Sequence, residues 1–171
     1  AAHSRGLIAT SACLGGEVAS KLLRRDSEGA EQSAAAYRDI FGKENYFLEV
    51  QDQGIPEEVE VNRGLEAIAR RVGIPRVGTN DCHFLRRDDH FSHQVLVCIQ
   101  TGRTVNDPDR LKYTQEHYFK SPQEMRAVFK DLPEAVENTL VIAERCNFEL
   151  GLSESHLPRF AVPGGEAVDG Y

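Results

Sequence analysis

An α/β fold with parallel strands is the class that this sequence predicts. Short apolar runs rich in aromatic and β-branched residues alternate with amphipathic helical stretches, which is the grammar of βαβ units. The helical stretch between the second and third runs is clearly patterned: Val61, Leu65, Ile68, Ala69 and Val72 share one face. Glycine and proline punctuate the elements where such a fold needs them, with Pro56 before that helix and Gly73 after it.

The elements follow in order. Residues 7–12 form a short apolar run ending in small residues, a buried strand that Gly15 and Gly16 interrupt. Residues 17–24 and 30–41 read as helices, the second alanine-rich and stopped by Gly42. Residues 46–51 (YFLEVQ) are strand-like, and residues 74–79 form a third strand running into Asn80, Asp81, Cys82 and His83. Beyond it, residues 88–100 predict a helix with Phe91, Val95 and Ile99 on its core face and Leu96 beside them. A polar loop with Asp107 and Pro108 leads to a strand-like YFK at 118–120. Ser121, Pro122 and Glu124 make a capping box for the next helix. Residues 132–148 predict a longer helix with Val136, Leu140 and Ala143 at core spacing. The segment 151–171, which holds two of the seven prolines, reads as an extended linker.

Composition narrows the classes. With 40% hydrophobic and 27% charged residues the chain is globular in type. No apolar run approaches the roughly 20 residues of a membrane helix, and the first residues lack a signal-peptide pattern. The four cysteines, Cys13, Cys82, Cys98 and Cys146, are widely spaced and include no CxxC pair, which fits reduced thiols of a cytoplasmic protein. A net charge of -7 argues against a dedicated nucleic-acid clamp, and the pairs Arg24-Arg25, Arg70-Arg71 and Arg86-Arg87 read as solvated charges. The sequence starts without Met in what reads as an element already under way, so a chain cut from a longer parent is expected.

Chemistry concentrates at Asp81 and His83. In extended chain they share a face, and a carboxylate with an imidazole at the carboxyl end of a strand can chelate a divalent ion such as Zn, Mn or Fe. A surface turn is the plainer reading of D-x-H alone. Cys13, at the end of the first strand, offers a thiolate or simply a small buried thiol. Glu49 inside YFLEVQ needs a partner if buried, and either supports a metal ligand or faces solvent. His90 and His93 lie three apart on a helix, a spacing that can chelate, but without an accompanying carboxylate pattern they read as structural or exposed. His3, His117 and His156 have no companion at ligand spacing. No GxxxxGK[ST] loop and no GxSxG elbow occurs.

Longer strings carry more. GLIATSACLGGEV, YFLEVQDQG, VGTNDCHFL, HQVLVCIQTGR, YFKSPQEM, LPEAVENTLVIAERCNFEL and LPRFAVP occur in this order along essentially the whole chain. Together they resemble the α subunit of bacterial DNA polymerase III. The resemblance implies that residues 1–110 are the second half of an irregular parallel β/α barrel of the PHP (polymerase and histidinol phosphatase) type. Residues 111–150 would be a strand and helices after the barrel, and residues 151–171 a linker towards the polymerase palm. It further implies Cys13, Asp81 and His83 as metal ligands; Glu49 and Asn80 are the candidates to support them. Zn or Mn would occupy that site and serve phosphoester hydrolysis at a DNA 3′ end, while Mg would serve the polymerase site of the parent.

The implied partners are DNA and dNTPs through the parent, other replicase subunits and a proofreading exonuclease, with no membrane, in the bacterial cytoplasm. The family's HxH motif is absent, so only part of the ligand set is expected and the segment alone should be inactive. Half a barrel should also leave strand edges and apolar surface uncovered. A free-standing PHP phosphatase, such as a histidinol-phosphate phosphatase, is the alternative, and the helices after the barrel count against it. A scaffold that docks the exonuclease is a third reading.

Overall fold

A computed structural model describes residues 2–149 and 151 of the chain. Strand β1 (Ala9–Thr10) is followed by helices α1 (Glu17–Leu23) and α2 (Ser27–Phe41). Strand β2 (Tyr46–Gln51), helix α3 (Pro56–Val72) and strand β3 (Arg76–Thr79) complete a three-stranded sheet of order β1-β2-β3, parallel throughout. Helices α4 (His90–Thr101), α5 (Pro122–Val128) and α6 (Pro133–Arg145) come after it. The α/β class and its parallel strands are therefore as the sequence predicts. The linker expected at 151–171 lies, except for Gly151, outside the described residues.

Local chemistry sets the boundaries. The Asp26 side chain accepts the Gly29 amide at 2.9 Å and starts α2, while Gly73 (φ 72°) ends α3 in the left-handed conformation. Strand β1 is shorter than the sequence predicts because Ala12 (φ 62°) turns the chain immediately after Ser11. That turn brings the Gly16 backbone so close that a Cβ there would lie 2.2 Å from the Ser11 carbonyl oxygen.

The core lies between the helices and one face of the sheet. Tyr46, Leu48 and Val50 alternate along β2 onto Val18 and Leu22 of α1, Ala30 and Ala34 of α2, and Val61, Leu65 and Ile68 of α3. Phe129, after α5, closes the same cluster over Gly78, where a Cβ would meet the phenyl ring at 3.0 Å. Helix α6 is fixed to β3 by Asn138 Nδ2 donating to the Arg76 carbonyl (2.7 Å) and by the Arg76–Glu134 ion pair (2.6 Å).

Three expectations differ in detail. The face of α4 that the periodicity assigns to a core points outward, with Phe91 68%, Leu96 64% and Ile99 72% exposed. Gln94, Val97 and Cys98 are buried instead. Residues 118–120 do not form a strand; Tyr118 makes a single parallel bridge to Phe84. The last helix ends at Arg145, and Leu140 is exposed while Ala135 and Val136 pack inward.

Candidate metal centre

The carboxyl ends of parallel strands leave main-chain groups free and loops short, so side chains from separate strands can meet there. Asp81 and His83 stand just past β3. Asp81 adopts a left-handed φ of 45°, a conformation that costs an L-residue on the order of 1 kcal/mol and that aspartate tolerates better than most. The neighbouring segment maintains it: His83 N–H donates to the His117 carbonyl at 2.8 Å, and Phe119 N–H donates to the Phe84 carbonyl at 3.0 Å.

Asn80 fastens that segment. Its Nδ2 donates to the carbonyls of Tyr118 (2.5 Å) and Glu116 (3.3 Å), and its Oδ1 accepts from Lys120 Nζ at 3.0 Å. Lys120, itself buried, is further satisfied by Glu116 and lies over the Tyr118 ring. These contacts deliver His117, which is 2% exposed, to the side of Asp81 and His83.

One ligand atom each from Asp81, His83 and His117 lie within 4.8 Å of one another. Around a tetrahedral zinc ion with bonds near 2.0–2.1 Å, ligand atoms stand about 3.3 Å apart, so small side-chain rotations would close the set on one ion. A carboxylate and two imidazoles suit Zn or Mn. One hydrogen bond also fixes the tautomer of His83. His83 Nδ1 lies 2.6 Å from the Asp81 carbonyl, which can only accept, so Nδ1 carries the proton and Nε2 the lone pair. Burial pushes the His117 pKa down, against the Thr114 carbonyl, which raises it; an imidazole kept neutral is what a metal requires. His93 is likewise lowered by burial and by His83, whose ring lies 5.7 Å away, and its Nδ1 has no hydrogen-bond partner among the described residues.

The structure therefore brings ligand atoms of Asp81 and His83 near one another and adds His117, which has no companion at ligand spacing in the sequence. His117 reaches them through the parallel bridge between Phe84 and Tyr118, which no local sequence pattern marks. Cys13 does not enter the cluster. It follows β1, two strands from β3, a separation of roughly 10 Å at ordinary strand spacing. Glu49 lies between the two. Its carboxylate accepts from Thr10 Oγ1 (2.5 Å), Thr79 Oγ1 (2.5 Å) and Gln51 Nε2 (3.0 Å), tying the three strands together with no bond to Asp81 or His83.

A model of the PHP domain family matches residues 1–53, the stretch that contains Cys13 and Glu49 but not the cluster. The chain is 43% identical over 164 residues to the DNA polymerase III subunit alpha of Treponema pallidum, covering 95% of this chain and 14% of that protein. Identity to the corresponding subunit of Mycobacterium tuberculosis is 41% over 169 residues, and to that of Pseudomonas aeruginosa 40% over 169 residues. These matches cover 96% and 98% of the chain and again 14% of each relative. The chain thus spans about one seventh of the length of the relatives it matches.

Proposed function

This chain belongs to the DNA polymerase III α-subunit family, and we propose that it supplies a PHP-type divalent-metal site to a replicative DNA polymerase of bacteria. The observation that carries the reading is the convergence of Asp81 and His83 on one point at the carboxyl edge of a parallel sheet. In this reading Asp81 and His83 bind one ion, Zn or Mn. Cys13, at the end of β1, binds a neighbouring ion of a multinuclear site in a PHP-type barrel. Such ions, when bound, supply an activated water and charge stabilisation for phosphoester hydrolysis, as in removal of a nucleotide from a DNA 3′ end.

The chain's own residues provide the frame. Asp81 contributes negative charge, and His83 offers Nε2 because its Nδ1 proton is committed to the Asp81 carbonyl. Asn80 holds the opposing segment in place, and Glu49 fixes the spacing between β1 and β3 through Thr10 and Thr79. Template-directed synthesis from dNTPs would belong to the parent protein, whose polymerase site would use Mg. DNA, other replicase subunits and a proofreading exonuclease are the proposed partners, in the cytoplasm. Among the described residues no helix is long and apolar enough to cross a membrane. The likeness to α subunits extends through α5 and α6, which favours this reading over a free-standing phosphatase.

Metal content decides it. The full-length parent protein, purified with zinc or manganese, should retain metal, and Asp81→Ala in that parent should lose it with the fold intact. Cys13→Ser should lower the metal-to-protein ratio without abolishing binding. Retention of full metal by Asp81→Ala would remove the ligand assignment.

A further inference from the structure

We propose that Lys120 is a positioning residue for Asp81 and His83: its buried ammonium group, through Asn80 and Glu116, anchors the chain on either side of these two residues. The inference rests on the metal-site reading above and names what holds its ligands.

Donors and acceptors around the ammonium are matched. The Lys120 side chain is 2% exposed, a position that a cation occupies only with its donors satisfied. Its Nζ donates to Asn80 Oδ1 at 3.0 Å and to the Glu116 carbonyl, and it lies 3.3 Å from Glu116 Oε2. Three acceptors thus meet the three N–H groups of one ammonium, and the Tyr118 ring centroid lies 4.6 Å from Nζ. The orientation of Asn80 follows from this. Its Nδ2 faces the carbonyls of Tyr118 and Glu116, which can only accept, so Oδ1 needs a donor, and Lys120 supplies it. Without Lys120, the amide oxygen of a residue 7% exposed would lose that bond.

The same ammonium reaches both sides of the ligand pair. Main-chain bonds to residues 116–120 start at His83, whose amide donates to the His117 carbonyl, and continue at Phe84. Ahead of them stand Asn80 and Asp81, and the left-handed φ of 45° at Asp81 persists only under restraint from its surroundings. Asn80, tied to Lys120 and to two carbonyls, supplies that restraint on the amino side. On the carboxyl side Arg87 pairs with Glu116, whose carboxylate also faces Lys120. The Arg87 pair is the weaker anchor, because its side chain is 58% exposed and water competes for it. Lys120 meets no such competition, so the buried half of this hub carries the positioning.

The test uses the full-length parent protein, with zinc as the probe in chelator competition and amide hydrogen exchange as a second readout. Lys120→Met keeps the length of the side chain and removes every donor. It should weaken zinc binding by about 10-fold and speed exchange in the peptide spanning residues 80–84. In an Asn80→Ala background the same substitution should cost little further affinity, because the two residues act in series. Leu65→Ala, a truncation in the core beneath the sheet, controls for lost stability and should bind zinc as wild type does. If wild type holds no zinc, or Asp81→Ala holds it as tightly as wild type, the metal-site reading and this inference fall together. If Asp81→Ala loses zinc while Lys120→Met binds as wild type, the site stands and the Lys120 inference falls alone. It falls too if Lys120→Met costs as much in the Asn80→Ala background as by itself, if Leu65→Ala weakens zinc equally, or if exchange at residues 80–84 is unchanged.

Discussion

Helices α3 and α4 carry the same kind of apolar stripe and do opposite things with it. Along α3, Val61, Leu65 and Ile68 are 3%, 1% and 1% exposed beneath the sheet. Along α4, Phe91, Leu96 and Ile99 face outward while Gln94, Val97 and Cys98 are buried. The periodicity is genuine in both cases. It states that a helix has an apolar face, and it is silent on whether anything lies against that face. Helix α3 joins two adjacent parallel strands, so its stripe must lie on the sheet. Helix α4 joins none of the three strands; it buries only Val97 and Cys98 of its apolar residues and is further tethered by polar contacts: His90 Nε2 to the Tyr113 carbonyl at 2.8 Å, and Gln94 to Arg110.

The comparison breaks most sharply under truncation. Leu65→Ala should destabilise the chain by about 2–5 kcal/mol, because it removes buried contacts from a packed core and leaves a cavity. Leu96→Ala, chemically the same change, should stay within about 0.5 kcal/mol of wild type. Denaturant midpoints of the two variants measure the contrast directly. A large loss for Leu96→Ala would mean that the α4 stripe is covered in solution.

A smaller effect sits where the two regions are joined. Asn80→Ala removes two donations to the carbonyls of Tyr118 and Glu116 and takes one acceptor from the buried Lys120. Leaving buried polar groups unpaired should cost about 1–3 kcal/mol. On the proposed metal-site reading the same change should also weaken zinc binding, because Asn80 directly precedes Asp81 and holds the segment that faces His83. Thermal melts with and without zinc separate the two consequences, and a variant that loses stability but keeps zinc affinity would detach Asn80 from the site.

What was readable in the sequence follows the same division. Local signals were sound wherever a short range of chain decides the outcome. Pro56 and Gly73 bracket α3, and Ser121 caps α5 with its hydroxyl on the Glu124 amide. His117 was not readable, because its companionship with His83 depends on a pairing across 34 positions, through a bridge too short to leave a periodic pattern. Glu49 was legible only as a carboxylate needing partners. Its two threonines come from strands on either side, so they appear only once the order β1-β2-β3 is known. Three-dimensional neighbours of this kind come from topology, and no window along the chain contains them.

The mildest probe compares two carboxylates. Glu17, in the α1–α2 region, is held down to about 2 by Lys21 first and then by Tyr37 and Ser33, so its charged form ties α1 to residues of α2. Asp107, in the α4 region, is also lowered, by the Asp109 amide and then Arg103, but every partner lies within five positions along the chain. A carboxylate whose folded pKa is depressed contributes stability that is full above its unfolded value and is lost as pH falls through the folded one. For Glu17 that window runs from its ordinary 4.5 down to about 2. Melting temperature should therefore fall with acid across this range in wild type, and Glu17→Gln should flatten part of the fall. Asp107→Asn should change the slope less, because its contacts close a local turn that holds no helices together. Equal slopes in the two variants would mean that the Glu17 bridge between α1 and α2 carries no more weight than a surface turn.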